Sequence, residues 1–76
     1  MTREERQALT RARLIAAARK VFVERGFHRT SIEVIAAEAG YTIGALYSNF
    51  DGKADLFVAV FEEYQSERAR EIERRS

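Results

Sequence analysis

The stretch from Thr30 to Lys53, TSIEVIAAEAGYTIGALYSNFDGK, decides the fold that this chain is expected to adopt. Thr30 and Glu33 match a capping box, in which a threonine side chain accepts a hydrogen bond from a backbone N–H group at a helix start. Gly40 can end that helix in a left-handed conformation without steric cost. Thr42 can cap the next short helix. The stretch therefore predicts two short helices joined by a glycine turn.

Apolar spacing and turn residues place the limits of these two helices. The narrow apolar face of the first one consists of Ile32, Ile35, Ala36 and Ala39. That helix is expected over about residues 31–39, and the next over about residues 43–49. The Asp51-Gly52 pair then predicts a turn, followed by a longer helix that begins near Lys53.

An N-terminal helix is predicted from signals of the same kind. Thr2 and Glu5 repeat the capping-box spacing, so the helix is expected to start after Thr2. It should end at Gly26, with the Phe27 ring folded back over its last turn. Helical spacing assigns these large apolar residues to one core: Ile15, Phe22, Ile32, Ile35, Leu46, Phe50, Leu56 and Val60. The expected fold class is all-α, a small homeodomain-like bundle of four helices that contains a helix-turn-helix.

The composition is typical of one small globular domain. The chain has 76 residues, of which 46% are hydrophobic and 33% are charged. It has no cysteine, which excludes disulfides, thiolate metal sites and cysteine nucleophiles. The single histidine, His28, has no partner at a useful spacing, and no glycine-rich phosphate loop is present. We therefore expect no enzyme activity, no metal site and no cofactor.

Two further properties bear on location and partners. No apolar run approaches the roughly 20 residues of a membrane span, which predicts a cytoplasmic protein with no membrane partner. Residues 1–29 contain eight Lys and Arg residues against three Glu residues, a formal charge of +5, which leaves −4 for the rest of a chain whose net charge is +1. This basic segment indicates either a polyanionic partner close to the N-terminus or a solvated helix surface.

The third predicted helix carries side chains suited to reading DNA. Seven residues lie on the sides of this helix away from the core or, in the case of its glycine, leave the backbone bare. They are Thr42, Ile43, Gly44, Ala45, Tyr47, Ser48 and Asn49. Ile43 and Ala45 suit contacts with thymine methyl groups in the major groove. Gly44 permits close approach of the helix backbone, and Tyr47 suits a phosphate. Each has a plainer alternative: Thr42 can serve only as a cap, Gly44 can relieve crowding, and Tyr47 can be a half-buried aromatic.

Phosphate contacts must come mainly from outside the third helix, since it contains no arginine or lysine. Lys53 opens the fourth helix, where an ammonium group and free N–H groups can together hold a phosphate. Thr30 and Ser31 open the second helix with the same geometry. The arginines near the N-terminus can either lie along a neighbouring groove or be solvated.

The residues from Phe27 to Leu56 resemble the DNA-binding domain of TetR-family transcriptional regulators. The residues that carry this resemblance are Thr30-Ser31, Ile35-Ala36, Ala39-Gly40, Leu46-Tyr47, Phe50, Lys53 and Leu56, with Ile15, Ala18, Phe22 and Gly26-Phe27 from the N-terminal helix. The resemblance covers roughly residues 10–62. Tyr41 departs from the small aliphatic residue usual in the family at its position. Ser48 and Asn49 stand where larger residues are frequent, commonly a histidine at one of them.

The resemblance implies specific roles. The third helix would be the recognition helix, and the residues near base edges would be Thr42, Ile43, Gly44 and Ala45. The residues that hold phosphates would be Tyr47, Lys53, and Thr30 or Ser31. The partner would be double-stranded DNA carrying a palindromic operator, and the function would be transcriptional regulation, with repression the expected direction.

The resemblance also implies a division of the chain. Residues 1–9 would be a basic arm or a frayed start of the first helix, and residues 10–62 the DNA-binding domain. Residues 63–76 would extend the fourth helix as the connector to a regulatory domain that this chain lacks. In the full-length protein, that domain would form the homodimer and bind a small-molecule effector.

One alternative of another class remains from the sequence. The fourth helix has an apolar stripe formed by Leu56, Phe57, Val60, Phe61 and Tyr64, followed by a charged segment. A helical protein–protein interaction module would use this stripe to bind a partner helix. The basic N-terminal residues would then serve only solubility.

Overall fold

Four α-helices make up the part of the chain that the computed structural model describes, residues 1–75, with side chains described through residue 72. Their bounds are α1 (Arg3–Arg25), α2 (Ile32–Ala39), α3 (Ile43–Tyr47) and α4 (Lys53–Arg75). The expected all-α fold with a helix-turn-helix, formed by α2 and α3, is confirmed. The third helix ends at Tyr47, two residues before the predicted end near Asn49. Ser76, which the sequence assigned to the C-terminal extension, lies outside the described residues.

The start of α1 confirms the capping box at Thr2. The Thr2 hydroxyl accepts a hydrogen bond from the Glu5 N–H at 3.1 Å, and a Glu5 carboxylate oxygen accepts one from the Thr2 N–H at 3.2 Å. Two N–H groups that the helix cannot satisfy internally thereby find partners. Residues 3–9 are consequently the first turns of α1, which starts after Thr2 as predicted.

The end of α1 also follows the prediction. Gly26 has φ 83° and ψ 163°, a region in which glycine alone is unstrained, and its N–H donates to the Phe22 carbonyl at 2.8 Å. The Phe27 ring turns back onto α1, with its centroid 5.7 Å from that of Phe22. The contact directs the chain from α1 towards α2.

The start of α2 differs from the prediction by one residue. Ser31, not Thr30, is the N-cap, and its hydroxyl accepts a hydrogen bond from the Val34 N–H at 3.2 Å. The Thr30 side chain is only 3% exposed and donates its hydroxyl to the Gly26 carbonyl at 2.7 Å. The predicted capping box between Thr30 and Glu33 is therefore wrong, because burial against the end of α1 uses the Thr30 hydroxyl.

Gly40 ends α2 as predicted. It adopts the left-handed conformation, with φ 78° and ψ 26°. Its N–H donates to the Ala37 carbonyl at 3.1 Å, and the Tyr41 N–H donates to the Ala36 carbonyl at 3.0 Å. These two bonds form a Schellman motif, which satisfies the last carbonyls of a helix and fixes the direction of the chain that follows. The turn into α3 is thus set by backbone hydrogen bonds.

All four helices contribute to one core. Its buried hydrophobic residues are Leu14, Ile15, Ala17, Ala18, Val21, Phe22, Ile35, Ala36, Leu46, Phe50, Leu56 and Ala59. Six of the eight core residues predicted from sequence are in this set, and the other two, Ile32 and Val60, are partly buried against it. Helix α1 packs against both α2 and α4, and α3 is held beside α2.

The apolar stripe of α4 is only partly used by this core. Leu56 is fully buried, whereas Phe57, Phe61 and Tyr64 are exposed. The Phe57 ring meets the Phe22 ring edge-on, with the centroids 5.6 Å apart. Beyond Val60 every described side chain of α4 is exposed, so its aromatic face lies at the surface.

Candidate nucleic-acid interface

Helix α3 is anchored on one side and open on the other. Leu46 is completely buried and Phe50, just after the helix, is 2% exposed. Ile43 and Tyr47 are 43% and 53% exposed. Helical spacing of the two anchors therefore turns the opposite face of a short helix towards solvent, as the sequence predicted.

Backbone carbonyls and N–H groups of α3 engage three of the polar side chains predicted for the interface. The Thr42 hydroxyl accepts from the Ala45 N–H at 3.1 Å, which makes Thr42 the N-cap. The Ser48 hydroxyl donates to the Gly44 carbonyl at 2.9 Å, and the Asn49 amide nitrogen donates to the Ala45 carbonyl at 3.0 Å. Thr42 retains its hydroxyl proton and Ser48 its oxygen lone pairs for other partners.

Gly44 is not required by packing. A Cβ atom added there would meet only the Thr42 hydroxyl, at 3.8 Å, which is an ordinary van der Waals distance. The residue also has a helical backbone conformation without positive φ. The alternative that Gly44 relieves crowding within the domain is therefore wrong.

The Lys53 side chain lies against the loop that leads into Ser31 at the start of α2. The Lys53 ammonium donates to the Phe27 carbonyl at 2.8 Å and lies 4.3 Å from the centroid of the Phe27 ring. Phe27 belongs to the loop that leads into Ser31, since the Thr30 N–H donates to the Phe27 carbonyl at 3.2 Å. An ammonium group has three donors, so two remain beyond the bond to Phe27.

Of the two hydroxyl residues at the start of α2, the structure leaves Ser31 rather than Thr30 accessible to a phosphate. Ser31 is partly exposed at the helix start, whereas the hydroxyl of Thr30 is turned inwards. Of the ten residues predicted for the site, Thr30 is the one whose side chain is removed from the surface. The other nine lie on α3, on its flanking turns, or at the starts of α2 and α4.

Two residues beside α3 were not predicted from sequence as part of this surface. The Arg13 guanidinium of α1 donates to the Tyr41 hydroxyl at 3.4 Å. Hydrogen bonding with Thr10 and then with Arg13 lowers the pKa of the Tyr41 phenol, because these partners favour its charged form. The one sequence signal for this contact was the unusual tyrosine at position 41 within the turn.

Arg11 contacts Phe50, which follows the C-terminal end of α3. Its guanidinium carbon lies 4.6 Å from the centroid of the Phe50 ring, a cation–π distance. The N-terminal half of α1 therefore contacts the chain on both sides of α3. Arg13 contacts Tyr41, just before the N-cap, and Arg11 contacts Phe50, three residues after the last residue of the helix. Both ends of α3 are fixed by α1 as well as by the core.

The described part of the chain contains neither a helix that could span a bilayer nor a group of three metal-binding side chains from His, Cys, Asp and Glu. It presents instead a short exposed helix on a helix-turn-helix, with a lysine and a helix start beside it. This arrangement defines a helix-turn-helix domain of the DNA-binding class.

Comparison with known proteins specifies the family. The family model described as "Bacterial regulatory proteins, tetR family" matches residues 14–60. The chain is 46% identical over 61 residues to the HTH-type transcriptional regulator TtgR of Pseudomonas putida, a match that covers 80% of this chain and 29% of TtgR. It is 38% identical over 64 residues to the HTH-type transcriptional activator FasR of Mycolicibacterium smegmatis, covering 84% of this chain and 27% of FasR.

A solved structure agrees with these matches. The crystal structure of a HlyIIR mutant protein superposes with a TM-score of 0.74 at 38% identity, covering 76% of this chain and 33% of that one. The chain belongs to the TetR family of bacterial regulatory proteins, as the motif residues predicted. It spans under a third of the length of the curated relatives TtgR and FasR.

Proposed function

We propose that this chain binds double-stranded DNA in a sequence-specific manner as the head domain of a transcriptional regulator. The observation that carries the proposal is the exposed face of α3, where Ile43 and Tyr47 are open to solvent while Leu46 is fully buried. A helix presented in this way fits the major groove, which is about 12 Å wide. Family membership supports the same function.

The residues of the interface divide into two groups by chemistry. Ile43, Gly44 and Ala45 at the start of α3 are small or apolar and suit base edges, in particular thymine methyl groups. Tyr47, Ser31 and Lys53 suit phosphate oxygens, since each offers a hydroxyl or an ammonium group at the surface. A third set could contact either bases or phosphates, although part of its hydrogen-bonding capacity is used by the backbone of α3. This set consists of Thr42, Ser48 and Asn49.

We propose further that this domain acts within a longer regulator. Two heads of a homodimer would bind the half-sites of a palindromic operator about one helical turn apart. Dimerisation and the binding of a small-molecule effector would rest on segments outside residues 1–62, and residues 63–76 would form part of the connection. The relatives include both the HTH-type transcriptional repressor BepR of Brucella suis and the activator FasR, and we propose repression in the cytoplasm for this chain.

One observation favours a second candidate, a helical protein-interaction module. Phe57, Phe61 and Tyr64 on α4 are exposed, and they line an apolar groove together with Val23 of α1. A partner helix would bury this groove. The two candidates use different side chains, so variants in one set distinguish them.

The test compares two double variants by their binding to a random-sequence DNA duplex at low salt. Lys53→Ala with Tyr47→Phe should weaken binding to all sequences, because both side chains act on phosphates. Phe61→Ser with Tyr64→Ser, on the aromatic face of α4, is the matched control and should bind as the parent does. The DNA proposal is wrong if the first pair, still helical by circular dichroism, retains the parental affinity.

A further inference from the structure

The Arg13–Tyr41 pair lies at the C-terminal end of α2, where no role had been assigned to either residue. Tyr41 follows Gly40 and precedes Thr42, the N-cap of α3. Its backbone is fixed by the hydrogen bond from its N–H to the Ala36 carbonyl at 3.0 Å. Its ring is packed against the core, which leaves the hydroxyl at the edge of the domain beside Arg13. The phenol oxygen therefore has a well-defined position.

The chemistry of the pair leaves hydrogen-bond donors unused. A guanidinium group has five N–H donors and no acceptor, so in the 3.4 Å contact the Tyr41 oxygen must be the acceptor. The phenol also hydrogen-bonds with Thr10 in the free domain. Because a hydroxyl hydrogen rotates to suit its partners, the phenol can turn from Thr10 to a charged acceptor. Arg13 is exposed and keeps its remaining N–H groups. The pair thus offers a hydroxyl donor and a cation side by side, a combination that suits a phosphate oxygen.

The position of the pair relative to Ser31 adds a second, independent argument. Ser31 caps one end of α2 and Tyr41 follows the other end. Eight residues at about 1.5 Å per residue make α2 roughly 12 Å long. The mouth of the major groove is also about 12 Å wide. A helix of this length that crosses the groove brings its two ends to the two sugar-phosphate strands that border it.

We propose that Arg13 and Tyr41 form a second phosphate-binding site, which holds the DNA strand across the major groove from the strand held by Ser31 and Lys53. This inference rests on the proposed DNA-binding function. Contacts at both ends of α2 would fix the tilt of α3 in the groove. The sign of the charge fits, since Arg13 belongs to the basic segment of residues 1–29.

The experiment measures the affinity of the full chain for a short random-sequence duplex between about 50 and about 200 mM salt. Arg13→Gln should make the slope of log affinity against log salt shallower by about 1, because one phosphate neutralisation is lost. Arg13→Lys, which keeps the charge, should retain the parental slope. Tyr41→Phe keeps the ring and should weaken binding about tenfold at unchanged slope, since one neutral donor to a charged group is lost.

The matched control is Arg19→Gln. It removes the same charge from the same helix, but Arg19 is paired with Glu67 of α4 at 3.2 Å. Its slope should equal that of the parent, and an equal loss of slope in both variants would overturn the proposal. Parental behaviour of both Arg13→Gln and Tyr41→Phe would also overturn it, while leaving the DNA-binding function intact. Absence of duplex binding by the parent would refute the function itself.

Discussion

At the scale of single residues, the fold places different demands on the two glycines of the helix-turn-helix. Gly40 has φ 78°, a conformation that side chains with a Cβ atom rarely adopt, and a Cβ there would meet nothing within 4 Å. Its requirement is therefore purely conformational. Gly44 has ordinary helical geometry and open space around it. The fold therefore does not require a glycine at position 44, and under the proposed function the close approach of DNA would require it.

Gly40→Ala tests the conformational requirement. The substitution forces a Cβ into the left-handed region and should destabilise the domain by about 1 kcal/mol or more. Gly40→Asn should cost less, because asparagine tolerates that region better. Thermal unfolding followed by circular dichroism measures both, and equal stability of the alanine variant and the parent would contradict the described turn.

Gly44→Ala should separate stability from binding. In the free domain it should raise the free energy of unfolding by about 0.5 to 1 kcal/mol, since alanine is the better helix former. Its affinity for the operator half-site should fall, because the new methyl group occupies space needed by the DNA. A variant that is more stable and binds equally well would show that the α3 backbone does not approach the DNA closely.

At the scale of elements, the sequence predicted those helix starts and ends that depend on residues close together in the chain. The capping box of Thr2 and the glycine ends of α1 and α2 depend on residues within a few positions of each other, so the sequence contained them. The N-cap of α2 was assigned to Thr30 instead of Ser31, because burial of Thr30 against Gly26 outweighs its capping preference. The Arg13–Tyr41 contact joins residues 28 positions apart, and no local pattern could reveal it.

Helix α3 depends on the core for its existence. It has five residues, and isolated helices of that length are unstable in water. Leu46 is its one buried side chain and is completely enclosed. Leu46→Ala should cost about 2 to 5 kcal/mol, against a total stability at the low end of the usual range, roughly 5 kcal/mol for a domain this small.

Urea unfolding and amide hydrogen exchange together test this prediction. In the Leu46→Ala variant the urea concentration at the unfolding midpoint should fall strongly. The amides of α3 should be the first to lose their protection from hydrogen exchange. Ile43→Ala, an exposed aliphatic residue of the same helix, is the control and should change the stability by less than about 1 kcal/mol. Equal effects of the two substitutions would mean that α3 is not held by Leu46.

At the scale of the whole molecule, two exposed surfaces differ in their chemistry. One combines α3 with the starts of α2 and α4, and with Arg13 and Tyr41 next to it. The other is the aromatic face of α4, where Phe57, Phe61 and Tyr64 are exposed, whereas Leu56 and Ala59 of the same helix are buried in the core. The fold class and the helix-turn-helix were predictable from apolar spacing and glycine positions. The exposure of the α4 aromatics was not, since helical spacing shows which residues share a face but not whether that face is covered.

The most direct test of the central claim is selection of a random duplex library on this 76-residue chain at low salt, followed by sequencing of the retained DNA. Specific reading by α3 predicts enrichment of a short half-site whose thymine positions change when Ala45 is replaced by glycine. A chain that is helical by circular dichroism and retains no duplex would contradict the claim and favour the protein-interaction alternative.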